Sequence, residues 1–222
     1  MPEEILTTQP TAGPVPAQEA KAFLSLRKVF HVAASSTIPL YYWYHPFAAT
    51  DAQARLQVVV IAAIGFCSFL VFDLLRLRDR AFNSFIMKGF SFIIRRTEEK
   101  RFTGATHLCF AFLVVAWFFS REVAVTAMLF LSLGDTAAEL GGRYFGRTKV
   151  FYRSLEGSAA FFLVAFSVAL VILDDWRVAL LGALVGALVE LFSFELDDNL
   201  TVPIGSAVAL TLAFHLFQSL PH

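Results

Sequence analysis

The sequence predicts an all-α fold: a polytopic membrane helix bundle of about seven transmembrane helices with one interfacial amphipathic helix. Three observations carry this expectation. First, 57% of the 222 residues are hydrophobic, 25 are Phe, and only 16% are charged, against about 25% charged in an ordinary soluble domain. A chain whose solvent is mostly lipid tolerates that shortage; a soluble surface does not. Second, apolar runs of spanning length recur along the chain. Third, positive charge gathers on alternate loops. The formal net charge is zero, so bulk charge gives no basis for a nucleic-acid partner.

The elements follow in order. Residues 1–20 mix Pro, Gln, Glu and Thr without periodicity and read as a disordered tail. Residues 21–222 read as a single transmembrane domain. No basic stretch leads into a short apolar run near the N-terminus, so no signal peptide is expected. A membrane helix needs about 20 apolar residues, and such runs lie at 27–46, 55–75, 104–120, 121–141, 157–173, 176–195 and 201–219. The first contains Ser35, Ser36 and Pro39 and ends on Tyr41, Tyr42, Trp43 and Tyr44, a group suited to a headgroup belt. Between the second and third runs, Phe82, Phe85, Ile86, Phe90, Ile93 and Ile94 interleave with basic residues over 76–103, the pattern of an interfacial helix. Asp73 and Arg76, three apart, read as an interfacial ion pair. Gly182 and Gly186 give the sixth run a small-residue packing face. Pro203 is expected to open the last helix, where a missing N–H costs little. Cys67 and Cys109 lie in apolar runs and read as small buried hydrophobes without a disulfide.

Seven spans place the N-terminus, 76–103, 142–156 and 196–200 on one side. That side carries 15 of the 18 lysines and arginines; Arg55, Arg121 and Arg177 face the other way. The asymmetry predicts a multi-pass protein with a cytoplasmic N-terminus and an outward C-terminus.

Polar residues at membrane depth need a reason, and they cluster at three places on this cytoplasmic side. Asp135 and Glu139, four apart, share a helix face, with Arg143 on the same face if the helix continues. Paired carboxylates there can hold Mg2+ together with phosphate oxygens. Gly141, Gly142 and Gly146 permit close backbone approach, and Arg143, Arg147, Lys149 and Arg153 supply positive charge for a polyphosphate. Gly146, Arg147 and Thr148 approach a P-loop, but Arg stands where Lys is required and a membrane helix precedes it, so that fold is rejected. In the second cluster Glu190, Asp197 and Asp198, at i, i+7 and i+8, read as one helical face, with Asn199 adding an amide. The third, Arg27, Lys28 and His31, reads as stacked on one face of the first helix.

At these residues the chain resembles the family of dolichol kinases, phytol kinases and the CTP-dependent diacylglycerol kinase of yeast, itself similar to phosphatidate cytidylyltransferases. The resemblance rests on R-K-x-F-H at Arg27–His31, on G-D-x-x-A-x-x-x-G-x-x-x-G-x-x-K from Gly134 to Lys149, on S-x-E-G-S at Ser154–Ser158, and on D-D-N-L-T-V-P at Asp197–Pro203 with Glu190 upstream. It covers most of the chain past residue 20. Arg153 departs from the pattern, since the family often has Lys there.

The resemblance implies phosphoryl transfer from CTP, with a divalent metal such as Mg2+, to the hydroxyl of a membrane lipid alcohol (diacylglycerol, a polyprenol or phytol). On this chain it carries metal or nucleotide roles to Asp135, Lys149, Glu156, Asp198 and Asn199. Taken with the clusters read from spacing and charge, the candidates are Asp135, Lys149, Asp198 and Glu139 for catalysis, Gly141, Gly142, Arg143, Gly146, Lys149, Arg153, Glu156 and Asn199 for nucleotide binding, and Asp135, Asp197, Asp198 and Glu190 for metal. Arg27, Lys28 and His31 are accessory. Two other activities draw on similar residues: a CTP-dependent cytidylyltransferase acting on a lipid phosphate, and a small transporter. A non-enzymatic lipid-binding scaffold is a fourth reading. The charges stop at one face, which argues against a transport path.

Overall fold

The structure is a computed structural model that describes residues 17–90, 94, 96–193 and 196–218, the side chains of 17–27, Phe30, Arg96 and Gln218 excepted. The described chain is almost entirely helical. Seven long elements answer the seven apolar runs: α1 (Ala17–Tyr44), α2 (Asp51–Arg78), α4 (Gly104–Phe118), a rod made of α5 (Arg121–Leu129) and α6 (Thr136–Phe145) joined by a π-helical segment, α7 (Leu155–Ile172), α8 (Trp176–Leu191) and α9 (Asp198–Gln218). The short α3 (Arg80–Gly89) and a 3-10 turn at Arg96–Lys100 lie within the 76–103 segment, whose residues 91–93 and 95 are outside the described ones. A two-stranded hairpin, β1 (Lys149–Val150) and β2 (Arg153–Ser154), pairs Lys149 with Ser154 and Val150 with Arg153. Four stretches are long and apolar enough to cross a membrane: Asp51–Arg78, Arg121–Phe145, Leu155–Ile172 and Asp198–Phe217.

Short polar residues set several helix starts by accepting otherwise unpaired N–H groups. Thr50 does so for α2 at Gln53, Asp79 for α3 at Ala81 and Phe82, and Ser154 for α7 at Gly157. In the α7–α8 turn, Asp175 accepts from the Arg177 N–H at 2.8 Å and from its guanidinium at 2.7 Å. The Arg177 side chain holds the Asp175 carboxyl below its ordinary 3.8, at about 2.

In lipid, helices gain little by hiding apolar surface from one another, so close packing of small residues drives association. The α5–α6 rod is the most enclosed spanning stretch, packed against α1, α7 and α9. Phe130 and Phe161 meet edge to face at 6.3 Å in its core. Glycines set the helix spacing. A Cβ on Gly157 would lie 2.7 Å from the Ala138 carbonyl, and one on Gly141 would lie 2.6 Å from Ala160 Cβ, so α6 and α7 touch backbone to backbone. Gly182 and Gly186 of α8 sit against Leu210 and Ser206 of α9, the packing face read from the sequence.

Several expectations are corrected. The chain is already helical at Ala17, the first described residue, and α8 stops at Leu191 rather than 195. The rod is interrupted by the π segment Phe130–Asp135, which inserts an extra residue per turn before Asp135 and shifts the register that follows. Pro203 lies well inside α9, because that helix starts at Asp198. Tyr42 is turned into the core with no exposure, while Tyr44 stays exposed. Cys67 is exposed on α2; Cys109 is buried as expected. Asp73 and Arg76 are paired as expected, and the pair is fully buried within the protein.

Two outcomes follow for purified protein in detergent. Gly157→Ala pushes a Cβ onto backbone, which cannot give, and is expected to cost about 1–3 kcal/mol in thermal melting. Gly182→Ala meets the flexible end of Leu210 at 2.2 Å and should cost less. The contribution of the Asp175–Arg177 turn should be complete above pH 3.8 and fade as pH falls towards about 2, because the folded pKa is the depressed one. Asp175→Asn should lack that acid-side loss in a pH series of melts.

Candidate active site

The C-terminal ends of α2, α6 and α8 meet the N-terminal ends of α4, α7 and α9 around one open cavity of about 1210 Å³. Asp135, Glu139, Gly142, Arg143, Lys149 and Arg153 line it from the central motif, and Glu190, Asp197 and Asp198 line it from the late one. The separated clusters therefore share one space.

Arg153, on β2, organises the floor. Its Nη1 donates to Glu190 Oε1 and its Nη2 to Asp198 Oδ2, with Asp135 Oδ1 at 4.0 Å from Nη1. Three carboxylates this close repel one another unless a cation faces all three, and the planar guanidinium does so with directed hydrogen bonds. Ser158 Oγ donates to the other Glu190 oxygen at 2.9 Å, so this buried carboxylate is satisfied on both sides. Asp198 differs: its Oδ1 is buried without a hydrogen-bond partner among the described residues. Asp197 Oδ1 accepts from the Asn199 backbone at 3.0 Å and from its side-chain amide at 2.7 Å, while Oδ2 lies 3.6 Å from His107 Nδ1.

Glu190 and Asp198 do not share a helix face as their spacing suggested. α8 ends one residue after Glu190, the chain turns, and Asp198 opens α9; the two meet because α8 and α9 pack side by side. Glu139 lines the same cavity but pairs with Lys28 of α1 at 2.7 Å rather than with Arg153. Lys28 thus joins the early motif to the central one. His31 is half-buried on α1, and the Arg27 side chain lies outside the described residues.

The remaining predicted binding residues hold the walls. Gly141 and Gly146 are taken up by contacts within the protein, against Ala160 and the Gly142 carbonyl. Gly142 lines the cavity beside Ser154. Glu156 accepts from the Thr148 N–H at 3.0 Å, clamping the chain that leads into β1. Asn199 packs against Gly104 at the start of α4, where an added Cβ would approach its amide to 2.7 Å.

Sequence reasoning missed several residues of the site. His107 lines the cavity but sits in an apolar helix without neighbouring ligands in sequence, and Ser158, which holds Glu190 from behind, gave no sign beyond its place in a motif. Lys100 and Arg101 were absorbed into the basic amphipathic segment, yet both line this cavity.

Arg153→Met should strand a nearly inaccessible Glu190 beside two further acids and cost roughly 2–4 kcal/mol in detergent melts. Arg153→Lys, which keeps charge but loses the fork, should fall between the two. If both melt like the parent, Arg153 is not what balances the floor.

No family model matches the chain, and no solved structure matches it significantly. Curated proteins do match. CTP-dependent diacylglycerol kinase 1 of Eremothecium gossypii is 28% identical over 212 residues, covering 82% of this chain and 64% of that protein, so the chain spans a little under two thirds of that relative. The protein of the same name in Saccharomyces cerevisiae is 27% identical, covering 86% of this chain and 74% of its own length. Phytol kinase 1, chloroplastic, of Arabidopsis thaliana is 30% identical over 137 residues, 52% of this chain and 45% of that protein. The chain is thus similar, over most of its length, to proteins named CTP-dependent diacylglycerol kinase and, over about half of it, to a phytol kinase.

Proposed function

We propose that the chain is a CTP-dependent lipid kinase, moving the terminal phosphoryl group of CTP to the hydroxyl of a membrane lipid alcohol at the cytoplasmic leaflet. One observation carries the reading. Asp135, Lys149 and Asp198, from three distant parts of the sequence, line the same cavity at one end of the bundle. The names of the relatives supply the reaction class. All seven long helices are read as spans, with the N-terminus and the cavity on the cytoplasmic side.

Phosphoryl transfer asks little covalent chemistry of a protein; it asks for alignment and charge stabilisation. The lipid oxygen bonds to the terminal phosphorus as the bond from that phosphorus to its bridging oxygen breaks. CDP leaves, and the hydroxyl proton passes to a carboxylate. Asp198 suits that role better than Glu139. Its Oδ1 has no hydrogen-bond partner among the described residues, whereas Glu139 is held by Lys28. Arg153 keeps the other Asp198 oxygen fixed and so aims the free one. Lys149 and Arg143 line the cavity where phosphates are to be bound.

The donor set also suits a hard cation. Three carboxylates face the Arg153 guanidinium, Asp197 lines the same cavity, and one Asp198 oxygen has no hydrogen-bond partner among the described residues. No three acidic, His or Cys side chains among the described residues form a ready cage. Mg2+ commonly binds through one or two carboxylates plus substrate phosphate oxygens. Asp135, Asp197, Asp198 and Glu190 are the residues to hold it, and when bound it would neutralise charge on the phosphates.

The test is incubation of purified protein with labelled CTP or ATP and a panel of diacylglycerol, polyprenol and phytol, with products identified. Labelled lipid phosphate and CDP are expected. Pyrophosphate release with a lipid phosphate as acceptor would instead make the chain a cytidylyltransferase. Asp198→Asn should lower kcat by about 10²–10⁴-fold while melting within a few degrees of the parent. Turnover close to the parent's would remove Asp198 from the chemistry.

A further inference from the structure

Behind the cavity lies a polar cluster that the phosphotransfer site does not use. Asp73 and Arg76, near the end of α2, have no exposure. Arg76 grips Asp73 Oδ1 through Nε at 3.2 Å and Nη2 at 2.9 Å. Asp73 Oδ2 accepts from the Thr103 N–H at 2.7 Å, Thr103 Oγ1 at 3.0 Å and Thr106 Oγ1 at 2.6 Å. A buried pair so fully hydrogen-bonded is a rigid anchor, since removing either partner strands a charge.

What it anchors is the loop from 96 to 103. Arg76 Nη1 donates to the Glu98 carbonyl at 3.0 Å and Nη2 to the Arg101 carbonyl at 2.7 Å. Asn83 of α3 accepts from Arg76 and donates to the Glu99 carbonyl at 2.8 Å. Three backbone carbonyls flanking Lys100 are therefore fixed from behind. Stabilising the ends of α2 and α4 alone would need none of them.

The loop delivers Lys100 and Arg101 to the cavity that Arg143 and Lys149 also line. Among the described residues none of these four makes an ion pair. The acids nearby are engaged: Glu139 by Lys28, Glu190 by Arg153, and Glu98 by the Gly104 N–H at 2.8 Å. Four uncommitted cations lining one cavity match a ligand with several anionic oxygens.

We propose that Lys100 and Arg101 form a second phosphate-binding wall of the cavity, and that Asp73, Arg76 and Asn83 are positioning residues that hold this wall in place. The proposal rests on the phosphotransfer reading and extends it to a segment that the shared motifs leave out. The phosphate is that of the nucleotide or of an anionic lipid headgroup.

The experiment compares the parent, Lys100→Gln/Arg101→Gln and Asn83→Ala in neutral detergent. The double variant is expected to raise the nucleotide KM by about tenfold or more, with kcat falling by less than about threefold. Asn83→Ala loosens the loop without stranding a buried charge. It should raise KM in the same direction, and should add nothing on top of the double variant because both act through one loop. A second arm adds phosphatidic acid to the micelles. An unchanged nucleotide KM with loss of activation by phosphatidic acid assigns the wall to a lipid phosphate. Unchanged nucleotide KM together with an unchanged lipid response overturns the proposal. A parent protein that transfers phosphate to no lipid alcohol overturns the proposed function instead; equilibrium dialysis of labelled CTP and phosphatidic acid binding then decide the wall by themselves.

Discussion

One guanidinium facing three carboxylates is the contact on which the site depends. Asp135 ends the π segment, Glu190 ends α8 and Asp198 opens α9. Left alone, these acids would repel across a region poorly screened by water. Arg153, carried by a two-residue strand, lets the three helix ends close together. Because it binds one Asp198 oxygen and leaves the other without a hydrogen-bond partner among the described residues, the same contact that stabilises the floor also fixes where that second oxygen points.

That contact is possible only because α6 and α7 approach so closely. Gly141, Gly142 and Gly157 bring the two backbones together and set the hairpin bearing Arg153 above the end of α8. The motif glycines suggested direct cradling of phosphate. The spacing shows that most of their freedom is spent on helix contact, and Gly142 alone of the three sequence-predicted glycines remains at the cavity surface. The clamp from Glu156 to Thr148 works in the same sense, fixing the hairpin rather than reaching into the cavity.

The buried Asp73–Arg76 pair performs a parallel task on the other side. An ion pair without exposure is a poor source of stability compared with apolar packing. It repays its desolvation here through eight hydrogen bonds, several to the carbonyls and N–H groups of one loop. Two polar hubs, one around Arg153 and one around Arg76, thus frame a single cavity at one end of an apolar bundle.

The amino-acid order by itself determined that the chain is all-helical and roughly where its long helices lie, because long apolar runs are a local property. It also picked out most of the floor, since acids at helix ends in an apolar chain are conspicuous. It misread Glu190 and Asp198 as one helical face, and it gave no sign that the Asp73–Arg76 pair is buried within the protein. Tertiary packing alone decided that Glu139 turns to Lys28, that Glu190 and Asp198 meet across two helices, and that Lys100 and Arg101 reach the cavity. The reason is physical. Periodicity reports which residues share a face of one helix, whereas the partner of a buried charge is set by which helix packs against that face.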